Sequence, residues 1–151
     1  MLSHNEWKYL FTLVRETLKA AFEKRSLVNL APSREEFPHL YEKRGVFVTL
    51  FIKGELRGCI GNLAPERPLY KEVVEVALNS AFKDPRFPPL EKKELDEIEI
   101  EISLLSPMKR AKVEDIEVGK HGIFIKKGFY RGILLPQVAV EHNWDRETFL
   151  K

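Results

Sequence analysis

The chain has 151 residues, of which 44% are hydrophobic and 32% are charged, and its formal net charge is only +2. This length is enough for one domain with its own core, the single cysteine excludes an intramolecular disulfide, and the interleaving of basic and acidic residues argues against nucleic-acid binding. No apolar run approaches the about 18 residues of a membrane span and no signal-peptide pattern opens the chain, so we expect a cytoplasmic protein with no membrane contact.

The first predicted element is an amphipathic helix. Ser3 and Glu6 form a capping-box pattern, and apolar residues then recur at helical spacing to about Lys24. Prolines and scattered charges interrupt the pattern from Ser26 to Arg44, which predicts a long irregular connection. We therefore expect one helix to precede the first strand.

A β-hairpin and a second helix are predicted next. Val46 to Lys53 and Leu56 to Gly61 are rich in β-branched or other apolar residues, and a turn at Gly54 can join them as antiparallel strands. Two prolines, the second at Pro68, then introduce a helix that continues to about Phe82, where a proline-rich segment ends it. The hairpin carries the most unusual segment of the chain.

The remaining elements are another strand and another hairpin. Isoleucine and glutamate alternate from Glu97 to Ser103, which predicts a strand with one solvated face. Ile123 to Ile125 and Ile133 to Leu135 flank a Lys-Gly turn, and Asp145 to Lys151 begins like a helix that stops after about two turns. The pattern predicts an α+β fold with a mostly antiparallel sheet built from hairpins and flanked by helices, and with a C-terminal segment missing.

The candidate functional site is the hexapeptide Leu56-Arg57-Gly58-Cys59-Ile60-Gly61, in which two glycines flank the only cysteine. Glycine weakens a strand interior, so a pair of them indicates close approach by a ligand or by another part of the backbone. Arg57 and Cys59 should share one face of the strand, about 6.5 to 7 Å apart. If the turn contains an even number of residues, Val48 and Leu50 lie on that face too.

The chemistry of Cys59 depends on two opposing influences, since burial raises the pKa of a thiol and a nearby cation lowers it. With Arg57 dominant, Cys59 is a nucleophile. The alternative is that Cys59 is a packing residue and Arg57 pairs with a carboxylate such as Glu55 or Asp84. A metal site is disfavoured because no ligand pair has close spacing. A catalytic Cys-His pair would require one of three histidines, His39, His121 or His142.

A second motif, Asp84-Pro85-Arg86-Phe87, places an acid and a base on a loop stiffened by proline. Arg86 and Arg57 together could clamp a phosphate or a carboxylate, although either could instead be a structural ion pair. This predicts an anionic ligand. The residues predicted to contact it are Gly58, Gly61, Asp84, Arg86 and His121, and the predicted catalytic residues are Cys59 and Arg57.

A family resemblance rests on five sequence blocks taken together. They are Leu56 to Gly61, Ala81 to Phe87, Ile102 to Pro107, His121-Gly122 and Leu134 to Ala139. In this combination and order they resemble the AMME chromosomal region gene 1 family over nearly the whole chain. The resemblance implies one intracellular α+β domain over residues 1–151 with the hexapeptide as its functional site. It also implies a further C-terminal helix and strand, absent after Lys151, and an association with Memo-like and radical-SAM proteins.

Two functional hypotheses follow. In the first, a cleft beside the hexapeptide holds an anionic small molecule or a modified macromolecule, with catalysis by Cys59 left open. In the alternative, the chain is a non-catalytic protein- or RNA-binding adaptor domain, and the glycines admit a partner backbone. The sequence identifies no cofactor, and its many charges with a single glutamine predict a thermophilic source.

Overall fold

The computed structural model describes residues 2–27 and 31–105, together with the backbone of 123–127 and 130–134. The chain divides into two compact units, residues 1–107 and 108–151, and the prediction of one domain over the whole chain stays a prediction. The elements of the first unit are α1 (His4–Glu23), β1 (Val46–Ile52), β2 (Glu55–Asn62), α2 (Leu69–Phe82) and β3 (Ile98–Leu104), with short 3₁₀ helices at Pro38–Tyr41 and Lys92–Glu94.

The first unit is built on an antiparallel sheet with strand order β2-β1-β3. Helix α2 packs against β1 and β2, and α1 packs against α2. In the second unit β4 (Ile123–Lys127) and β5 (Tyr130–Leu134) pair as an antiparallel hairpin. The α+β prediction is therefore confirmed, whereas the helix predicted from Asp145 lies outside the described residues. Among those residues no helix is long and apolar enough to cross a membrane.

Alternating burial identifies the face of the sheet that forms the core. Val46, Val48 and Leu50 of β1 are completely buried. In β3 the isoleucines at 98 and 102 are buried while Glu99 and Glu101 are exposed, which confirms the predicted solvated face. Side chains alternate between faces along a strand, so residues paired with Val48 and Leu50 point toward α2 and their neighbours point away from it.

Helix α1 begins with the predicted capping box. One side chain of that box also binds a residue that is far away in the sequence. The carboxylate of Glu6, 1% exposed, accepts hydrogen bonds from the backbone N–H of Ser3 at 2.9 Å and from the N–H and ring Nδ1 of His39 at 2.9 and 2.8 Å. Burial by itself would raise the pKa of Glu6, but these hydrogen bonds outweigh it and lower the pKa. The cap thus fixes the 3₁₀ helix of the connection against the start of α1.

The hairpin turn between β1 and β2 carries a conformational cost. Lys53 and Gly54 have φ angles of 51° and 77°, as a type I′ turn requires. Glycine adopts positive φ angles freely, whereas a residue such as Lys53 loses about 1 kcal/mol of stability there, and asparagine loses less. We expect Lys53→Asn to raise the free energy of unfolding by up to about 1 kcal/mol in urea denaturation. Lys53→Ala, which keeps the strain, should give no gain, and equal stability of both variants would refute this account.

Candidate functional site

A β-bulge in the hairpin sets the geometry of the hexapeptide. Phe51 pairs with Leu56 and Leu50 pairs with Gly58, so Arg57 is an extra residue without a partner on β1. The bulge shifts the register by one residue and places Thr49, not Val48, opposite Cys59. The expectation that Val48 and Leu50 share the face of Cys59 is therefore wrong. That expectation assumed that β1 and β2 pair regularly from the two-residue turn onward, without a bulge.

Cys59 points away from α2 and is partly exposed. Its Sγ lies 3.0 Å from Oγ1 of Thr49, which is buried. Its backbone N–H donates to Oδ2 of Asp84 at 3.0 Å, and its carbonyl oxygen accepts from Nη2 of Arg86 at 3.2 Å. The Asp-Pro-Arg loop is thus joined to the hexapeptide at Cys59.

The two glycines of the hexapeptide face other parts of the same chain. A Cβ atom at Gly58 would lie 2.1 Å from the carbonyl oxygen of Ser80 in α2, and a Cβ at Gly61 would lie 2.3 Å from the ring of Phe47. The Ser80 hydroxyl also donates to the Val48 carbonyl at 2.7 Å and accepts from the N–H of residue 60 at 2.9 Å. The close backbone approach predicted from the glycines occurs, and at Gly58 the approaching backbone is that of α2.

The side chain of Arg57 forms hydrogen bonds with the 88–94 segment. Its Nε and Nη2 donate to the two carboxylate oxygens of Glu94 at 2.8 and 3.0 Å, and its remaining bonds go to the carbonyls of Pro88 and Pro89 at 2.9 and 3.2 Å. The side chain is 13% exposed. An ion pair was one predicted alternative for Arg57, but its partner is neither Glu55 nor Asp84. This arginine holds the 88–94 segment against β2.

Asp84 and Arg86 form the charged pair nearest the cysteine. The Asp84 side chain is 2% exposed, and its two oxygens accept from Nε and Nη2 of Arg86 at 3.0 and 2.7 Å. These hydrogen bonds, assisted by the N–H groups of Cys59 and Arg86, hold the pKa of Asp84 far below its ordinary value of 3.8 despite burial. The Arg86 side chain is 55% exposed. A buried carboxylate therefore orients an accessible guanidinium.

Among the described residues Arg86, and not Arg57, donates a hydrogen bond to Cys59. The pKa of Arg86 is raised first by its hydrogen bonds to Asp84, and its Nη2 donates to the carbonyl oxygen of Cys59 at 3.2 Å. The pKa of Arg57 is raised by Glu94 and, more weakly, by Glu91. The two arginines that the sequence predicted to act as one clamp thus have different acidic partners.

The histidine predictions have a partial outcome. His39 is bound to Glu6 at the start of α1, while His121 and His142 lie outside the described residues. Within the described part of the chain no group of three or more His, Cys, Asp or Glu side chains is arranged to hold a metal ion.

Sequence reasoning missed Thr49, Ser80 and Glu94. Glu94 follows an acidic capping pattern that begins at Glu91, but that local signal does not reveal a partner 37 residues earlier in the chain. The Ser80 contact had a weak signal in the glycine at position 58, which required some neighbour to come close. Nothing in the sequence indicated the bulge that brings Thr49 opposite the thiol.

Comparisons with known proteins identify the family of this chain and a solved structure that it resembles. The AMMECR1 family profile matches residues 11–151. A protein of Methanothermobacter thermautotrophicus is 40% identical over 157 residues, and a protein of Methanopyrus kandleri is 42% identical over 159 residues. Each alignment covers 99% of this chain, and 80% and 75% of the respective relative. The crystal structure of uncharacterized protein PH0010 from Pyrococcus horikoshii matches with a TM-score of 0.85 and 36% identity, over 99% of this chain and 78% of that one. The chain therefore belongs to the AMMECR1 family.

Proposed function

We propose that the hexapeptide and the Asp-Pro-Arg loop form a recognition site for an anionic group, carried by a small molecule or by a modified macromolecule. Arg86 is the charged contact, and Cys59 lies beside the bound anion. The observation that carries the proposal is the guanidinium of Arg86, which is more than half exposed but is held in place by a buried carboxylate. An arginine oriented in this way loses little conformational entropy when it binds an anion.

The roles of the site residues differ from those predicted at the outset. Asp84 orients Arg86 and does not itself face the ligand, because its oxygens are occupied by Arg86 and by the N–H of Cys59. Arg57 is only 13% exposed and all three of its side-chain nitrogens donate to Glu94 or to the carbonyls of Pro88 and Pro89, and so it acts on the shape of the site and not on the ligand. Gly58, Gly61 and His121 stay predicted ligand contacts.

The test uses the fact that Cys59 is the only cysteine, so alkylation of the whole protein reports on this one thiol. Inorganic pyrophosphate should slow the reaction of Cys59 with neutral iodoacetamide in a saturable manner, because an anion on Arg86 covers the neighbouring sulfur. Potassium chloride at equal ionic strength should not. The extent of modification is followed by intact-protein mass spectrometry.

Two matched variants assign the protection to one arginine. Arg86→Gln should abolish the effect of pyrophosphate, whereas Arg57→Gln should retain it, with folding of both checked by circular dichroism. If Arg86→Gln does not fold, Arg86→Lys keeps the charge and should weaken protection, because a lysine ammonium cannot be oriented by Asp84 through two parallel hydrogen bonds. Absence of protection in the wild type by pyrophosphate, phosphate and citrate would overturn the proposal and favour the adaptor alternative.

The cellular setting is proposed from the family resemblance alone. It supports a cytoplasmic protein that acts with Memo-like or radical-SAM proteins in a modification pathway. Co-purification of such a protein with the tagged chain, lost in Arg86→Gln and kept in Arg57→Gln, is the expected result. If neither variant changes the co-purification, the partner does not bind through the hexapeptide.

A further inference from the structure

A second arginine is held in the same way as Arg86. Arg67, in the loop between β2 and α2, donates from Nε to Oε2 of Glu72 at 3.1 Å. The side chain of Glu72 is 2% exposed, whereas that of Arg67 is 51% exposed. A buried carboxylate therefore orients an accessible guanidinium here too, as Asp84 does for Arg86.

This combination sets two arginines apart from the others. Among the described residues the arginines that pair with carboxylates are Arg25, Arg57, Arg67 and Arg86. The partners of Arg25 are exposed, and Arg57 is itself largely buried. A buried carboxylate is weak evidence for stability, because the cost of removing it from water offsets the attraction to its partner. Two accessible guanidinia that are each held by such a carboxylate therefore favour a binding role.

The carboxylate of Glu72 is fixed from a second direction by the end of β2. Its Oε1 accepts from Nδ2 of Asn62 at 2.9 Å, and Oδ1 of Asn62 accepts from the N–H of Ala64 at 3.1 Å. Within the described residues Arg67 donates from Nε alone, so its two terminal nitrogens are left to bind a ligand. A pair of terminal donors matches the oxygens of a phosphate or a carboxylate.

Strand β2 determines the spacing of the two arginines. Arg86 is attached to the strand at Cys59, and Arg67 is attached through Glu72 at Asn62. Three residues of an extended strand span about 10 Å. The two attachment points thus suit a ligand with two separated anionic groups better than a compact anion.

We propose that the ligand of the hexapeptide site is an elongated small molecule with two phosphate or carboxylate groups, of which Arg67 binds the second. This inference rests on the proposed function, in which Arg86 binds the first group. It narrows the ligand from any anion to one whose anionic groups lie about 10 Å apart, the distance between the two attachment points.

Diphosphonates of different length test the second contact without adding anionic groups. Methylenediphosphonate, butane-1,4-diphosphonate and octane-1,8-diphosphonate carry the same two groups at increasing separation. Their binding is measured as the concentration that halves the rate at which Cys59 reacts with iodoacetamide. We expect the octane compound to act at about tenfold lower concentration than methylenediphosphonate, because a second charge-assisted contact forms. Octylphosphonate, with the same alkyl chain but one anionic group, should show no such gain.

A matched pair of variants assigns the gain to Arg67. Arg67→Gln should reduce the ratio between the two half-protecting concentrations from about tenfold to about one. Lys71→Gln is the control, because Lys71 carries the same charge, is exposed and lies in the first turn of α2, beside the ring of Tyr70. This control should keep the tenfold ratio. If Arg67→Gln does not fold, Arg67→Lys keeps the charge and should lower the ratio through loss of the planar donors.

The outcomes distinguish this inference from the proposed function. Equal protection by the three diphosphonates, an equal gain with octylphosphonate, or the same loss in Lys71→Gln as in Arg67→Gln would overturn the inference and leave the site at Arg86 standing. Protection by none of the compounds would overturn the proposed function together with the inference.

Discussion

Gly58→Ala is expected to be the most destabilising single methyl addition in the first unit. The new Cβ would lie 2.1 Å from the carbonyl oxygen and 3.1 Å from the carbonyl carbon of Ser80. Both are main-chain atoms, so no side-chain rotation can relieve the contact, and α2 must move away from β2. Overpacking of a core costs about 1–3 kcal/mol, and a backbone-to-backbone clash belongs at or above the upper end, so we expect a loss of about 3 kcal/mol in urea denaturation.

Two other glycines provide a graded comparison. At Gly61 the added methyl meets the ring of Phe47 at 2.3 Å and the carbonyl of Val46 at 2.6 Å, so Gly61→Ala should also be costly. At Gly45 the nearest atoms are the tip of the Leu105 side chain at 2.9 Å, which can rotate away, and the main-chain oxygen of Leu63 at 3.0 Å, a milder approach than at the other two, so Gly45→Ala should cost least. If Gly58→Ala is as stable as Gly45→Ala, the glycine is not needed for packing of α2, and its role as a predicted ligand contact gains weight.

Arg86→Ala should destabilise the protein more than Asp84→Ala, although Arg86 is the more exposed residue. Removing Arg86 leaves the Asp84 carboxylate buried with only main-chain N–H donors, and breaking a buried pair in this way costs about 3–5 kcal/mol. Removing Asp84 frees a guanidinium that water can solvate, and the main loss is the partner of the Cys59 N–H, about 1–3 kcal/mol. The double variant should cost less than the sum of the two.

The pH dependence of stability supplies a second readout for this pair. Asp84 has a lower pKa in the folded than in the unfolded protein, so its contribution is fully present above its ordinary value of 3.8 and is lost as the pH falls below it. In Arg86→Ala burial is no longer offset by the guanidinium, the folded-state pKa rises, and the loss of stability below pH 3.8 should become shallower. Glu6 and Glu94, whose pKa values are also lowered, contribute the same acid background to both proteins.

Lys93→Ala is the control for charge removal at the surface. Lys93 pairs with Glu91 at 3.3 Å, but both side chains are mostly exposed, and such pairs contribute about 0–1 kcal/mol. Thermal or urea unfolding between pH 2 and pH 7 would distinguish Arg86→Ala, Asp84→Ala and Lys93→Ala by their stability. If the free energy of unfolding of Arg86→Ala falls as steeply at acid pH as that of the wild type, Arg86 does not set the pKa of Asp84.

The helices and strands were predictable because their signals are local. The capping box at Ser3 and the alternation of isoleucine and glutamate in β3 both appear in the structure where the sequence places them, within one or two residues. Strand β2 begins at Glu55 and ends at Asn62, one residue beyond the predicted segment at each end. Such boundaries depend on hydrogen bonds to neighbouring strands, which the sequence does not display.

The composition of the candidate site could be predicted, but not its pairing. The sequence singled out Cys59, Arg57 and the Asp-Pro-Arg loop, and the structure brings the loop to Cys59. It placed Arg57 beside the thiol because it assumed a regular strand, whereas the guanidinium of Arg57 binds Glu94 and that of Arg86 binds the carbonyl of Cys59. A bulge is a matter of register between strands, and several arrangements of the same residues satisfy the same local pattern. The carboxylate that Arg57 binds is that of Glu94, 37 residues away in the chain, whereas Arg86 binds Asp84, two residues away.

The contacts of Asp84 and Arg86 with Cys59 also protect the sheet from misassembly. Among the described strands of the first unit β2 is an outer one, and the backbone groups of an outer strand can template the addition of a strand from another molecule. At Cys59 the carboxylate takes the N–H and the guanidinium takes the carbonyl, the two groups through which such a strand would have to pair. Without this loop, the N–H and carbonyl of Cys59 would be free to pair with a strand of another molecule, and we expect edge-to-edge aggregation to increase. The soluble yield at high protein concentration therefore reports on the loop independently of any ligand.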